Sequence, residues 1–391
     1  MPKRSRESGA LVPSVFLPSN FEFGSVPSQE GSSAPTSVPP QAPSLGPLSA
    51  FTGTFHGPGF NTIFRPDSGS PTKLPHPVRG SDNLLELNLI KQTLSFSRPL
   101  GSVPNRGEVQ PDIFLNGVSY LLTVSDVTNP AKPIGIHFEP GLWMNIPATT
   151  DPAEGTTLVR MASIPHGTTI CAQGTSRTFS GPPSIPPVSI TPNIGRFPSQ
   201  TASDPRTARI PQDLSSFIKA GSITQAILDD PNTVLRNATA HQKILSTTAL
   251  GVASNNSNPL SNPLFSGGTD DIAFLDGNHN VTEPNANIPQ MASFFWIETV
   301  QHTITVPVWA PGQPPLTIPA QTTGGPASVF SVHPPTAITQ PRRIKVASTQ
   351  IQYSQKVILN FNGILWPHIS VGTLVPSFPI PIPPSQWPSS K

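Results

Sequence analysis

Residues 84–97 read LLELNLIKQTLSFS, and residues 112–124 read DIFLNGVSYLLTV. Within each stretch apolar side chains recur at alternate positions, the repeat that turns one face of an extended strand toward a core and the other toward something polar. Shorter runs of the same kind, rich in β-branched or aromatic residues and bounded by Gly, Pro, Asn or Asp, follow further along. Together they predict an antiparallel meander over Leu84–Leu89, Gln92–Ser97, Asp112–Val118, Leu121–Val124, Gly141–Ile146, Thr157–Ala162 and Thr168–Ala172. Further strands are expected at Ser293–Thr305, Arg343–Gln350, Gln352–Asn360 and His368–Leu374. That makes roughly ten strands, enough to close a barrel.

The composition agrees with an all-β chain. Of 391 residues, 52 are Pro and 29 Gly, which disfavours helices, and only 11% are charged, so Ser, Thr, Asn, Gln and Pro must cover much of the surface. With 23 Lys and Arg against 21 Asp and Glu, the net charge of +2 produces no field that would attract a polyanion, and nucleic acid is not expected as a partner. The single cysteine, Cys171, rules out an internal disulfide framework and suits a reducing compartment. No apolar stretch of about 18 residues and no secretory h-region is visible, so the expectation is a cytoplasmic protein with no membrane partner.

Residues 1–46, rich in Pro, Ser, Gly and Gln, read as a disordered arm, and 376–391 (PSFPIPIPPSQWPSSK) as a Pro-rich tail. The barrel domain is expected over 47–375, interrupted by an insertion at about 175–292 whose dense Pro, Ser, Asn and Gly show little periodicity. A small helical element is expected inside it, with Asp213 or Ser215 capping a first helix and Ser222 a second over Ile223–Asp229, stopped by Pro231.

The chain contains no phosphate-binding glycine loop, no His-Glu-x-x-His and no G-x-S-x-G elbow, and its carboxylates fall at no informative spacing. Of the nine histidines, His368 stands out in ILWPHISVGTL (364–374), at the start of the last expected strand and ringed by apolar residues. A neutral imidazole there suits either a metal ligand or a core histidine. Gly53, Gly57 and Gly59 in the opening strand suit a coiled strand or a close backbone approach to a ligand. Trp143, Met144, Met161, Phe294, Phe295 and Trp296 suit either a cavity lining or plain core.

Several of these segments resemble the nitrobindin family, haem-binding barrels related in shape to the lipocalins. FTGTFHGPGFNTIF (51–64) is similar to that family's opening G-T-W-x-G-x-G strand, with Phe55 in place of Trp. IHFEPGL (136–142) resembles its H-x-E-x-G-[FY] strand, and Ser163–Gly167 followed by Gly174 its P-x-G-x-x-E-x-x-E-G hairpin. IQYSQKVILNFNGILWPHISVGTL (351–374) resembles the terminal strand pair that ends in L-x-x-H-L-x-A-x-L, with Pro367 directly before the histidine.

The resemblance implies a ten-stranded antiparallel up-and-down barrel holding haem b. It makes His368 the iron ligand and Gly57, Phe60, Trp143, Met144, His166 and Trp366 its pocket, with His137 and His166 as candidates for the opposite face of the macrocycle. The activity implied is binding of nitric oxide and isomerisation of peroxynitrite, with ferric iron as Lewis acid in a dry pocket. Two other readings stay open: a metal-free, lipocalin-like carrier of an apolar small molecule, and a barrel scaffold whose Pro-rich arms and loops make contacts in an assembly. A homo-oligomer is compatible with each.

Overall fold

The structure is a computed structural model that describes residues 42–66, 83–151, 153–164, 168–191, 209–254, 268–271, 287–361, 364–383 and 387. Ten long strands form a closed antiparallel barrel: β1 (Gly53–Pro66), β2 (Asn83–Phe96), β3 (Ile113–Asp126), β4 (Ile134–Ile146), β5 (Thr157–Ser163), β6 (Thr168–Ser180), β7 (Lys243–Ala253), β8 (Asn287–Val306), β9 (Arg342–Phe361) and β10 (Ile364–Pro376). Each pairs with its neighbours in the chain, and β10 returns to pair with β1, so the order is up-and-down throughout. Closure leaves the ring without a free edge.

Three pairs of expected runs fuse into single strands, Leu84–Ser97 into β2, Asp112–Val124 into β3 and Arg343–Asn360 into β9. The region expected as an insertion supplies a barrel strand of its own. β7 lies between β6 and β8, Leu250 opposite Ser176 on one side and Phe295 on the other, with a bulge between Ile244 and Ser246 on the β8 side. Its sequence, KILSTTALGVA, offers weak alternation because both of its faces are covered in part.

Cross-strand partners share a face, which separates inside from outside. Gly59, Gln92, Tyr353 and Gly372 converge in the lumen, so the alternate residues Phe60, Thr62 and Phe64 point outward. Phe60, Thr62 and Phe64 are nevertheless no more than 1% exposed, as are Leu85 and Leu87 beside them. A second layer covers them. It consists of the segment 181–191 and three short helices, α1 (Ser215–Lys219), α2 (Gln225–Asp229) and α3 (Thr233–Thr239), which contribute Ile185, Ile190, Ile223, Ile227, Leu228 and Leu235 to the core. Neither Asp213 nor Ser215 is the N-cap of α1: Leu214 takes that position, and Asp213 Oδ1 accepts from Ser215 N at 2.9 Å in the turn before it, while Thr224, not Ser222, caps α2. Helix α3 begins just beyond Pro231, where the sequence suggested only a stop.

The layer is tied to the barrel by amides. Gln352 Nε2 donates to Leu235 O at 3.0 Å, and Gln242 and Gln350 exchange hydrogen bonds at 3.0 and 2.9 Å. Beneath them lies Glu298, 1% exposed, whose Oε2 accepts from Gln350 Nε2 at 2.6 Å while Oε1 has no partner. Burial, only partly opposed by the Gln350 amide, pushes the carboxyl up to about 7. Because the folded state then holds a proton that an unfolded glutamate releases near pH ~4.3, stability is full below that pH and declines as pH rises toward 7. Glu298→Gln should therefore exceed the wild type at pH 8 by up to about 3 kcal/mol in urea denaturation, the gap closing below pH ~4.5.

A smaller cluster forms where β8 and β9 overhang the barrel. There Ile304, Val306, Ile344 and Val346 pack on Trp309, Phe330, Val332, Ile338 and Ile382. The C-terminal tail joins it, Ile380–Pro381 pairing in parallel with Phe330–Ser331. At the start of the barrel, Asn116 and Asn145 donate to the carbonyls of Pro43 and Ser44, so residues 43 and 44, expected in the disordered arm, are held against the barrel. Residues 1–41, read as disordered, lie outside the described part. Among the described residues no helix is long and apolar enough to cross a membrane.

Candidate functional site

The lumen is the place where the sequence expects a ligand, and the chain's own side chains occupy its middle. Arg160 on β5 and Glu139 on β4 face each other there, 1% and 0% exposed, with Arg160 Nη2 donating to Glu139 Oε1 at 2.5 Å. The other two guanidinium nitrogens are also engaged: Nε binds Tyr120 OH at 2.9 Å, and Nη1 binds Ser293 Oγ at 2.8 Å and Gln355 Oε1 at 2.7 Å. Glu139 accepts in addition from Tyr120 OH at 2.5 Å, and its Oε2 meets His137 Nε2 at 3.0 Å. Aromatic rings enclose the cation, with its carbon 5.3 Å from the Phe295 centroid, 5.7 Å from Tyr120 and 5.8 Å from Trp143.

Burial alone would raise the Glu139 carboxyl, but the Arg160 guanidinium, His137 and the Tyr120 hydroxyl outweigh it and hold it well below the ordinary carboxylate range. Glu139 and its neighbour Tyr120 keep Arg160 protonated despite burial. Burial likewise pushes the Tyr120 and Tyr353 hydroxyls far above the ordinary tyrosine range. These hydroxyls are therefore donors at neutral pH. Tyr353 OH donates to Gln92 Oε1, and Gln92 Nε2 reaches Val371 O at 3.5 Å. This layer is a network with its charges paired, the condition under which a buried ion pair is tolerated.

One end of the lumen is closed beneath this layer. A 3₁₀ turn at Gly46–Ala50 places Leu48 and Phe51 at 0% exposure, and Phe51 stacks on Phe96 at 4.4 Å. The rings of Trp143 and Phe295 meet Phe51 edge-on at 5.8 and 6.3 Å. Toward the other end His368 also faces inward, in register with Ile63 and Val357. Its Nε2 lies 2.9 Å from Asn61 Nδ2, which also donates to Ser370 Oγ at 2.7 Å.

The residues expected to hold a macrocycle do not converge. Gly57 lies six positions along β1 from Ile63, the partner of His368, a separation of about 20 Å along a strand. Phe60 points away from the lumen under the helical layer, and Met144 alternates with the inward Trp143, so both lie on the outer face. Trp366 is 1% exposed and packs on Phe64 at 5.0 Å, and His166 lies outside the described residues. The glycines serve the chain itself: a Cβ at Gly59 or Gly372 would stand 2.4 or 2.2 Å from Gln92 Nε2, and one at Gly57 2.0 Å from Thr373 O. A haem placed against Gly57 and Trp143 would have to displace Gln92 and Arg160, and Nε2 of His368 is spent on Asn61. The residues present do not fit the group.

Sequence reading missed the centre of the site. Arg160 sits in TLVRMAS, on the apolar parity of a short strand, and a charge at an inward position was the available signal. The described residues contain no group of three or more His, Cys, Asp or Glu that could hold a metal ion. Compared with family models, with curated proteins and with solved structures, the chain matches none, and nothing in those comparisons identifies a nitrobindin.

Proposed function

We propose that the chain is a non-catalytic binding scaffold that works from its outer surface, its barrel made rigid by a lumen filled with its own side chains. The observation that carries this reading is Arg160, a guanidinium 1% exposed in the middle of the barrel with donors directed to Glu139, Tyr120, Ser293 and Gln355. Opening the lumen to a ligand there would strand a charge, and a buried charge without its partner is strongly unfavourable. A carrier of the lipocalin kind instead leaves an apolar cavity at this level.

The test uses the purified protein titrated with haemin and, separately, with an environment-sensitive apolar fluorophore. The expected result is no Soret band dependent on His368 and no saturable fluorescence gain in the wild type. A stoichiometric Soret band lost in His368→Ala would restore the haem reading, and a saturable one-to-one fluorescence gain abolished by substitutions lining the lumen would restore the carrier.

A further inference from the structure

On the outside of the barrel, where β8 and β9 run past the layer, a groove of about 310 Å³ opens between the sheet and the segment Pro186–Ser189. That volume is at the lower end of the range of small-molecule sites. Its floor is the outward side of the two strands, with Ala292 opposite Lys356, Phe294 opposite Ser354 and Gln290 near Ile358. Phe294 stacks on Trp296 at 6.0 Å and 15°, a flat apolar platform beside the lysine.

Lys356 is half-buried in this groove and makes no hydrogen bond or ion pair with any described residue. Burial lowers its ammonium below the ordinary lysine range, as expected of a cation with no counter-ion. Asp230, which holds the wall by accepting from the backbone of Val188 and Asn232, is itself paired with Arg236. Asn232, 3% exposed, lines the groove and donates to Pro186 O at 2.7 Å, but its side-chain oxygen is buried without a donor. The groove thus presents a cation with no partner among the described residues, beside an aromatic floor.

We infer that this groove is a binding site for a small aromatic carboxylate: the carboxylate on Lys356 and Ser354, and the ring over Phe294. The inference rests on the reading of the chain as a scaffold that binds from its surface, and it gives that reading a ligand class. A charge-assisted hydrogen bond to an ammonium shielded from water is worth more than a neutral one, so loss of the charge on either side should weaken binding measurably.

The probe is 2-naphthoate, titrated into the full chain by calorimetry. Saturable one-to-one binding is expected, weakened about tenfold, or about 1.4 kcal/mol, in Lys356→Gln and largely kept in Lys356→Arg. The methyl ester, which lacks the charge, should bind the wild type about tenfold more weakly than the acid does, and bind Lys356→Gln with the same affinity as the wild type. No binding at millimolar probe, or binding that Lys356→Gln leaves unchanged, overturns the site. Those results leave the haemin and fluorophore titrations untouched, so failure of the groove and failure of the scaffold reading are separately visible. A circular dichroism spectrum matching the wild type confirms that a silent Lys356→Gln is folded, and the substitution lies on a half-exposed position that the core does not use.

Discussion

Arg160→Ala lowers the unfolding free energy by about 3–5 kcal/mol, the effect expected when one partner of a buried ion pair is removed and the other is left behind. Glu139, 0% exposed, keeps only His137 and the Tyr120 hydroxyl, and Ser293 and Gln355 lose a donor. Replacing both charges, as in Arg160→Met with Glu139→Leu, should recover much of the loss, because apolar side chains of similar volume avoid the stranded charge. Acid discriminates further. In the wild type Glu139 is held below its unfolded range, so its contribution is present above pH ~4.3 and is lost as pH falls. In Arg160→Ala the same carboxyl loses the guanidinium that opposed its burial, and the deficit against the wild type should narrow toward pH 4. Urea denaturation at pH 7 and pH 4 measures both effects. A deficit below about 1 kcal/mol at pH 7 would mean that the network contributes no more than a surface pair.

Trp143→Ala should rank beside it, at about 3–5 kcal/mol for truncating a buried tryptophan. Trp143 is 1% exposed and is the joint between two parts of the lumen, with its ring edge-on to Phe295 at 5.3 Å and to Phe51 at 5.8 Å, and the Arg160 guanidinium carbon 5.8 Å from its centre. Removing the indole leaves a cavity between the 3₁₀ turn and the polar layer and deletes a cation–π contact that is strongest where water is excluded. Trp143→Phe keeps a ring and should lose far less. Since Trp143 and Arg160 touch, the double alanine variant should fall short of the sum of the two single losses by a measurable coupling. Additive losses would show that the ring fills space without supporting the cation.

The ring of strands was legible because its lumen face repeats with a period of two, and it was clearest where that face alone is buried. Strand β2 shows where legibility fails. Leu85, Leu87 and Leu89 lie on the outer parity and Ile90, Leu94 and Phe96 on the inner one, so the apolar phase changes in mid-strand and one strand reads as two. The cause is tertiary: the helical layer buries the outer side of the first half, while Glu86 and Asn88 take the lumen side there. Strand β7 was missed for the same reason, since covering on both sides erases the alternation. His368 lies on the inner face of the last strand, and its partners Asn61 and Ser370 come from register, which spacing along one chain does not reveal. The pairing of Arg160 with Glu139 is equally invisible, because two scattered charges acquire meaning only when β4 and β5 are aligned.

The junction of β10 with β1 has a consequence for biosynthesis. His56 and Ser377, whose side chains meet at 3.0 Å across it, are 321 residues apart. During translation the growing chain can zip neighbouring strands in order of emergence, yet it remains a curved ribbon with two raw margins until the thirteen residues of β10 are released. Such margins are templates for pairing with another nascent copy, and contacts of this span form slowly. The protein's most vulnerable moment is therefore the interval before β10 emerges from the ribosome, and its yield in a cell depends on how that interval is chaperoned.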